Sequence, residues 1–231
     1  MKLNWKDWLF PRRCLLCGRV WGGGERFERL GLCPACFWEP FRYSEVEEGR
    51  SVPSWIHVSF RYEDEVRRAV AVLKFESRRD NGPMLGHWMY EEGGALPVFS
   101  EADLVVPVPL SVNKKKSRGY NQAALMAEAL AGDLGIPMAD LLQRTRDTLA
   151  QKDLGDEMRL LNVEGAFEMV PDAEEKLTKL LPEGRKKGKG LRIILVDDIC
   201  TTGATMASCR SALEAGLPSS EMAGWCCSAG R

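Results

Sequence analysis

The segment VDDICTTGAT, residues 196–205, constrains the fold more than any other, because it joins an apolar strand to two acids and a glycine-containing loop. Residues 191–196 are apolar except for Arg192, as expected of a buried parallel strand. At its carboxyl end, Asp197 and Asp198 can accept hydrogen bonds from two adjacent hydroxyls. Residues 201–205 can then turn backbone N–H groups toward one anion at the start of a helix, with Gly203 relieving the steric limits. The pattern indicates a ribose-phosphate site; an acidic turn that only caps a helix is the alternative.

The same segment resembles the phosphoribosyl-pyrophosphate (PRPP) motif of type I phosphoribosyltransferases, and the chain around it resembles the ComF family of competence-associated proteins. The other segments of this resemblance are a cysteine-rich N-terminal module, LKFESRRDNGPMLG at 73–86, VVPVPLSVNKKKSRGYNQAALMAEAL at 105–130 and LLQRTRDTLAQKDLGDEMRLLNVEGAF at 141–167. They follow the family's order and cover nearly the whole chain. The transferase part of amidophosphoribosyltransferase is similar to the second half.

The resemblance implies PRPP as ligand and Mg²⁺ as its cofactor. The PRPP-binding residues that it implies are Val196, Asp197, Asp198, Ile199, Cys200, Thr201, Thr202, Gly203, Ala204, Thr205, Pro109, Leu110, Ser111 and Lys116. The catalytic residues that it implies are Asp197, Asp198, Arg118 and Arg144. Cations near the departing pyrophosphate would stabilise its charge, and residues 148–161 resemble the family's flexible loop, which covers the site.

Four of the eight cysteines form two Cys-x-x-Cys pairs separated by fifteen residues, Cys14 with Cys17 and Cys33 with Cys36. This spacing is typical of a structural four-thiolate zinc site. Disulfides are the competing interpretation, and a reducing cytoplasm disfavours them. A segment of about forty residues has too small a core to fold alone without a bound metal or another cross-link.

Strands alternate with helical segments along the rest of the chain, which predicts an α/β fold with a mainly parallel sheet covered on both faces. With the resemblance, the expected architecture is a type I phosphoribosyltransferase fold plus a small zinc-ribbon-like module. We expect the N-terminal helix and module to span residues 1–42 and the transferase-like domain residues 43–231, with a hood segment at about 53–95. Residues 171–190 are expected to form an exposed excursion, and Gly135 and Gly216 to end helices.

The 231 residues carry a net charge of −1, which argues against general nucleic-acid binding. Basic residues are nevertheless clustered at 114–118, at 185–189 and in the cysteine module. No apolar run is long enough to cross a bilayer and the first residues do not resemble a signal peptide, so we expect a cytoplasmic protein without membrane insertion.

Three function classes stay open on the sequence alone. The chain can be a PRPP-dependent transferase acting on an unknown base or amine. It can be a non-catalytic factor for competence, DNA uptake or DNA processing, with single-stranded DNA or uptake and processing proteins as partners. It can also be a sensor of PRPP or of a nucleotide-like small molecule.

Overall fold

The structure is a computed structural model that describes residues 13–15, 17–20, 31–37, 52–62, 64–75, 78–146, 165–181 and 190–229. Within these residues, four strands form a parallel sheet in the order β1-β6-β5-β2. Their bounds are β1 Ile56–Arg61, β2 Leu104–Pro107, β5 Arg192–Cys200 and β6 Glu221–Ala229. Two short strands, β3 Leu142–Arg144 and β4 Phe167–Met169, pair antiparallel beside it.

Helices connect these strands. Their bounds are α1 Pro34–Phe37, α2 Asp64–Phe75, α3 Asn81–Gly93, α4 Pro97–Ser100, α5 Val112–Arg118, α6 Gln122–Leu134, α7 Ala173–Leu180 and α8 Ala204–Gly216. None of the helices in the described ranges is both long and apolar enough to span a membrane.

The sheet is buried on both faces, as the apolar run of β5 predicts. Ile194 and Val196 pack in one core with residues of α2, α3 and α6. Ile193 and Leu195, which point the other way along the strand, pack in a second core with residues of α7 and α8. This two-faced burial confirms the predicted α/β fold with a mainly parallel sheet.

One expectation about local structure was wrong. Residues 173–180 form helix α7 instead of belonging to an exposed excursion, because Ala173 and Leu177 lie one turn apart and are both buried. Gly135 follows α6 in the left-handed conformation and Gly216 is the last residue of α8, so both helices end where the glycines predict. The rest of the expected excursion, residues 182–189, lies outside the described residues, as do most of residues 1–30 and the loop at 148–161.

Candidate functional site

A cavity of about 360 Å³ opens at the carboxyl end of the parallel sheet. The residues on its wall come from the ends of β2 and β5, the loop before α8, the first turns of α6 and α8, two side chains of α5 and one side chain each of α2 and β3. These residues are Lys74, Val108, Pro109, Leu110, Lys114, Arg118, Asn121, Gln122, Ala123, Arg144, Asp197, Asp198, Ile199, Cys200, Thr201, Gly203, Ala204, Thr205 and Met206. This edge is where open parallel sheets bind their ligands.

The two acids lie side by side on the cavity wall and differ in their surroundings. Asp198 forms an ion pair with Lys74, at 2.9 Å between Oδ1 and Nζ, and both side chains are mostly buried. The Asp197 carboxylate accepts a hydrogen bond of 2.8 Å from the backbone N–H of Asp198. Burial and the neighbouring charge of Asp198 raise the pKa of Asp197 from 3.8 to about 7. Asp197 therefore keeps its proton to a higher pH than an exposed carboxyl group does, and a cationic ligand group would favour its ionised form.

The loop after β5 folds as an anion cradle requires. Gly203 has a φ of 77°, a left-handed conformation that is costly for residues with a side chain. An added Cβ there would also lie 2.9 Å from two ring carbons of Pro53, so the loop backbone packs closely on the segment before β1. The thirteen-residue helix α8 begins at the next residue, and Ala204, Thr205 and Met206 of its first turn line the cavity, so the positive end of the helix dipole lies at the cavity wall.

A basic wall lines the same cavity as the acids. It is formed by Lys114 and Arg118 of α5 and by Arg144 of β3. Desolvation, and then the positive charges of Arg144, Arg118 and Lys74, lower the pKa of Lys114. Such mutual repulsion among cations is relieved when an anion binds between them.

The start of α6 holds the basic wall in place. Asn121 caps this helix, with its side-chain oxygen accepting from the N–H of Ala123 at 3.1 Å and its amide donating to the carbonyl of Val108 at 2.9 Å. Arg118 donates to the side-chain oxygen of Gln122 at 3.2 Å. Gln122 is almost completely buried, so this contact fixes the direction of the guanidinium.

The structure gathers most of the sequence-predicted site residues around this cavity. Val196 is buried in β5, Thr202 accepts a hydrogen bond from the N–H of Ala204, and Ser111 caps α5. Lys116 lines a neighbouring groove instead of the cavity. Sequence reasoning passed over Lys74, Asn121 and Gln122, although all three stand in the segments that carry the family resemblance.

The four paired cysteines form one cluster in the described part of the module. The Sγ atoms of Cys14, Cys17, Cys33 and Cys36 all lie within 4.8 Å of one another, and those of Cys17 and Cys33 are 3.8 Å apart. A tetrahedral zinc site with Zn–S bonds of about 2.3 Å has sulfur–sulfur edges of about 3.8 Å. The donor set therefore fits a structural zinc ion.

The close packing of these thiols shifts the pKa values of Cys33 and Cys36 in opposite directions. Burial raises the pKa of Cys33, but hydrogen bonds from Cys36, Cys17 and Cys14 outweigh it and lower that pKa to about 7. Burial and the same neighbouring sulfurs raise the pKa of Cys36. A cation at the centre would stabilise all four thiolates, as a zinc ion does in four-cysteine sites.

Comparison with known proteins gives relatives along most of the chain, while no family model matches it. DNA utilization protein YhgH of Salmonella typhi is 29% identical over 207 residues, which are 84% of this chain and 80% of that protein. Competence protein F of Haemophilus influenzae is 31% identical over 105 residues, 45% of this chain and 41% of that protein. Competence protein ComFC of Bacillus subtilis is 31% identical over 118 residues, 51% of this chain and 41% of that protein. The resemblance to the ComF family is confirmed.

Among solved structures, the chain is similar to one described as the allosteric regulatory enzyme of purine biosynthesis. The match has 20% identity and a TM-score of 0.36, and it covers 62% of this chain but only 25% of that one.

Proposed function

We propose that this ComF-like chain binds PRPP together with Mg²⁺ at the cavity described above. The observation that carries the proposal is that one cavity is lined both by the two acids with the glycine-containing loop and by three cationic side chains. The acids and the amide-rich loop suit the ribose hydroxyls and the 5′-phosphate, while Lys114, Arg118 and Arg144 suit the pyrophosphate. Asp197 and Asp198, together with phosphate oxygens of the ligand, form the oxygen-rich donor set that Mg²⁺ prefers.

We further propose that the chain can transfer the phosphoribosyl group to a base or an amine. A lone pair of the acceptor forms the new bond to C1, the C1–O bond to pyrophosphate breaks, and pyrophosphate leaves with the bonding electrons while the acceptor's proton passes to solvent. Mg²⁺ would neutralise charge on the pyrophosphate. The basic wall would stabilise the same developing charge, and the acids would hold the ribose by its hydroxyls.

Titration calorimetry tests binding, and a release assay tests transfer. PRPP should bind in the presence of Mg²⁺ and much more weakly without added Mg²⁺. Inorganic phosphate is the control ligand and should bind more weakly than PRPP. Equal heats for PRPP and phosphate would contradict the proposal. Pyrophosphate release across a panel of nucleobases and amines would identify the acceptor, and release with no acceptor would indicate hydrolysis instead of transfer.

A role in DNA handling is the second candidate, favoured by the names of the relatives and by the groove beside the cavity. This groove has a volume of about 850 Å³ and shares Pro109, Leu110, Asn121 and Arg144 with the cavity wall. Its cationic residues are Arg79, Lys115, Lys116, Arg144 and Lys176, against the acids Glu128 and Asp140. The excess of positive charge suits a sugar-phosphate backbone.

Fluorescence anisotropy with a labelled single-stranded oligonucleotide tests this second candidate. Three to five phosphate contacts give a slope of log affinity against log salt between roughly −2 and −3.5. If the strand lies in the groove, replacing Lys115 and Lys116 should weaken binding and reduce that slope, and PRPP with Mg²⁺ should compete. No binding near 50 mM salt would remove direct contact with DNA.

A further inference from the structure

Lys74 reaches the cavity from a helix that is far from the acids in sequence. It stands in the last turn of α2, and its ion pair with Asp198 joins residues 124 positions apart. Its side chain is 17% exposed and that of Asp198 is 14% exposed, so both charges are largely removed from water. Breaking one side of such a pair leaves the other charge buried without compensation. The position of α2 therefore affects the electrostatics of the acid pair.

The cysteine module packs on this same helix. Cys14, Leu15, Leu32 and Cys33 belong to one buried core with Val66, Ala69, Val70 and Leu73 of α2. Arg68 of α2 donates to the carbonyl of Cys17 at 3.2 Å, inside the first cysteine turn. The Gly18 backbone lies against the same guanidinium, because an added Cβ there would be 2.6 Å from Nη2 of Arg68. The module thus holds one face of α2.

Two further contacts hold α2, one in its middle and one beside Lys74. The hydroxyl of Tyr120 donates to the carbonyl of Leu73, the residue directly before Lys74. The side-chain amide of Asn81 donates to the carbonyl of Ala69 at 3.4 Å. Several contacts therefore hold the helix that carries Lys74, and the contacts with the cysteine turns are among them.

We propose that Lys74 is a positioning residue through which the metal-loaded cysteine module sets the affinity of the cavity for its phosphoribosyl ligand. The inference rests on the proposed function for the identity of the ligand. Through its ion pair, Lys74 holds the Asp198 carboxylate in the orientation that a ribose hydroxyl requires. When the cysteine turns lose their metal, α2 loses its support, and the acid pair loses its cationic partner.

Hydrogen–deuterium exchange of the full chain tests the structural half of this proposal without any ligand. Removal of zinc with a chelator, followed by removal of the chelator, should increase exchange in α2 and at residues 197–200. Helix α8 packs in the core on the other face of the sheet and should keep its protection. Unchanged exchange at residues 197–200 after zinc loss would overturn the proposal.

Binding of ribose 5-phosphate in excess Mg²⁺ tests the functional half. We expect Lys74→Met to lower the affinity about tenfold or more, and Lys74→Arg, which keeps the charge, to restore most of it. Zinc removal should weaken binding in the wild-type chain and have little further effect in Lys74→Met. The control Lys179→Met removes an exposed lysine of α7 that pairs with Glu175 and should leave affinity and zinc dependence unchanged.

A milder variant separates coupling from general unfolding. Arg68→Met removes the contact with Cys17 while leaving all four cysteines, so it should retain zinc and still lower the affinity for ribose 5-phosphate a few-fold.

Equal losses of affinity on zinc removal in wild-type and Lys74→Met proteins would overturn the role of Lys74. If zinc-loaded wild-type protein does not bind ribose 5-phosphate at all, the proposed function fails, and the exchange experiment still decides whether module and acids are coupled.

Discussion

The carboxyl group of Asp197 makes the stability of the folded chain depend on pH. Burial and the charge of Asp198 raise its pKa in the folded protein to about 7 from 3.8. Between those two pH values the folded chain keeps this proton, whereas the unfolded chain has released it. The contribution of Asp197 to stability is therefore full below about pH 4 and is lost as the pH rises to about 7.

Asp197→Asn removes this titration. We expect its free energy of unfolding to lack the decline that Asp197 causes between about pH 4 and pH 7 in the wild-type chain. Urea denaturation at several pH values measures the difference between the two proteins. Parallel pH profiles for wild type and variant would show that Asp197 does not carry a raised pKa.

At single positions, the sequence predicts what is encoded locally and misses what depends on distant packing. Asp197, Asp198 and Gly203 are contiguous in a strand–loop–helix segment, so their chemistry can be inferred without a fold. Lys74 acquires its role only because α2 brings it beside Asp198. Spacing along the chain carries no signal for a contact between residues 124 positions apart.

At the scale of elements, the loop between β5 and α8 is the part that backbone conformation constrains most tightly. Gly203→Ala should cost about 1–2 kcal/mol for the left-handed conformation, plus a further loss from the contact with Pro53. Gly135→Ala is a matched control, because Gly135 also has a positive φ of 70° but an added Cβ would meet nothing within 4 Å.

Chemical denaturation and PRPP titration of both variants check this expectation. Both should be destabilised, Gly203→Ala more so, and only Gly203→Ala should lose affinity for PRPP. Equal stability losses, or equal affinities, would mean that the loop does not depend on the close approach of its backbone to Pro53.

Elements were predictable where apolar periodicity is strong, as in β5, α6 and α8. Helix α7 was missed because half of its sequence, AEEKLTKL, is charged and only Ala173 and Leu177 are buried. Only the packing of Ala173 and Leu177 against the second core makes that segment a helix, and this packing depends on the tertiary structure.

At the scale of the whole molecule, the cysteine module is part of the structure that supports the site. The sequence predicts the zinc ligands from spacing alone. It does not predict that Cys14 and Cys33 share a core with α2 and α3, since that requires the long-range packing of the chain. The boundary near residue 42 stays a prediction.

We expect purified protein to contain one zinc ion per chain. Cys33→Ser should lose the metal and unfold the module, because structural zinc contributes on the order of 10 kcal/mol to the folding of such small units. Cys209→Ser alters a buried cysteine in the other core and should retain zinc. Elemental analysis of protein prepared under reducing conditions without chelator measures the zinc content of each variant. Zinc-free wild-type protein would contradict the assignment.

The central claim is that Asp197 and Asp198 hold the ribose of a Mg²⁺-bound PRPP. Titration calorimetry of PRPP against the wild-type chain and the variant Asp197→Asn with Asp198→Asn tests it most directly, with circular dichroism confirming that the sheet is intact. Loss of charge-assisted hydrogen bonds should weaken binding by roughly 1.5–3 kcal/mol per contact. Equal affinity in the two proteins, or no binding in either, would contradict the account.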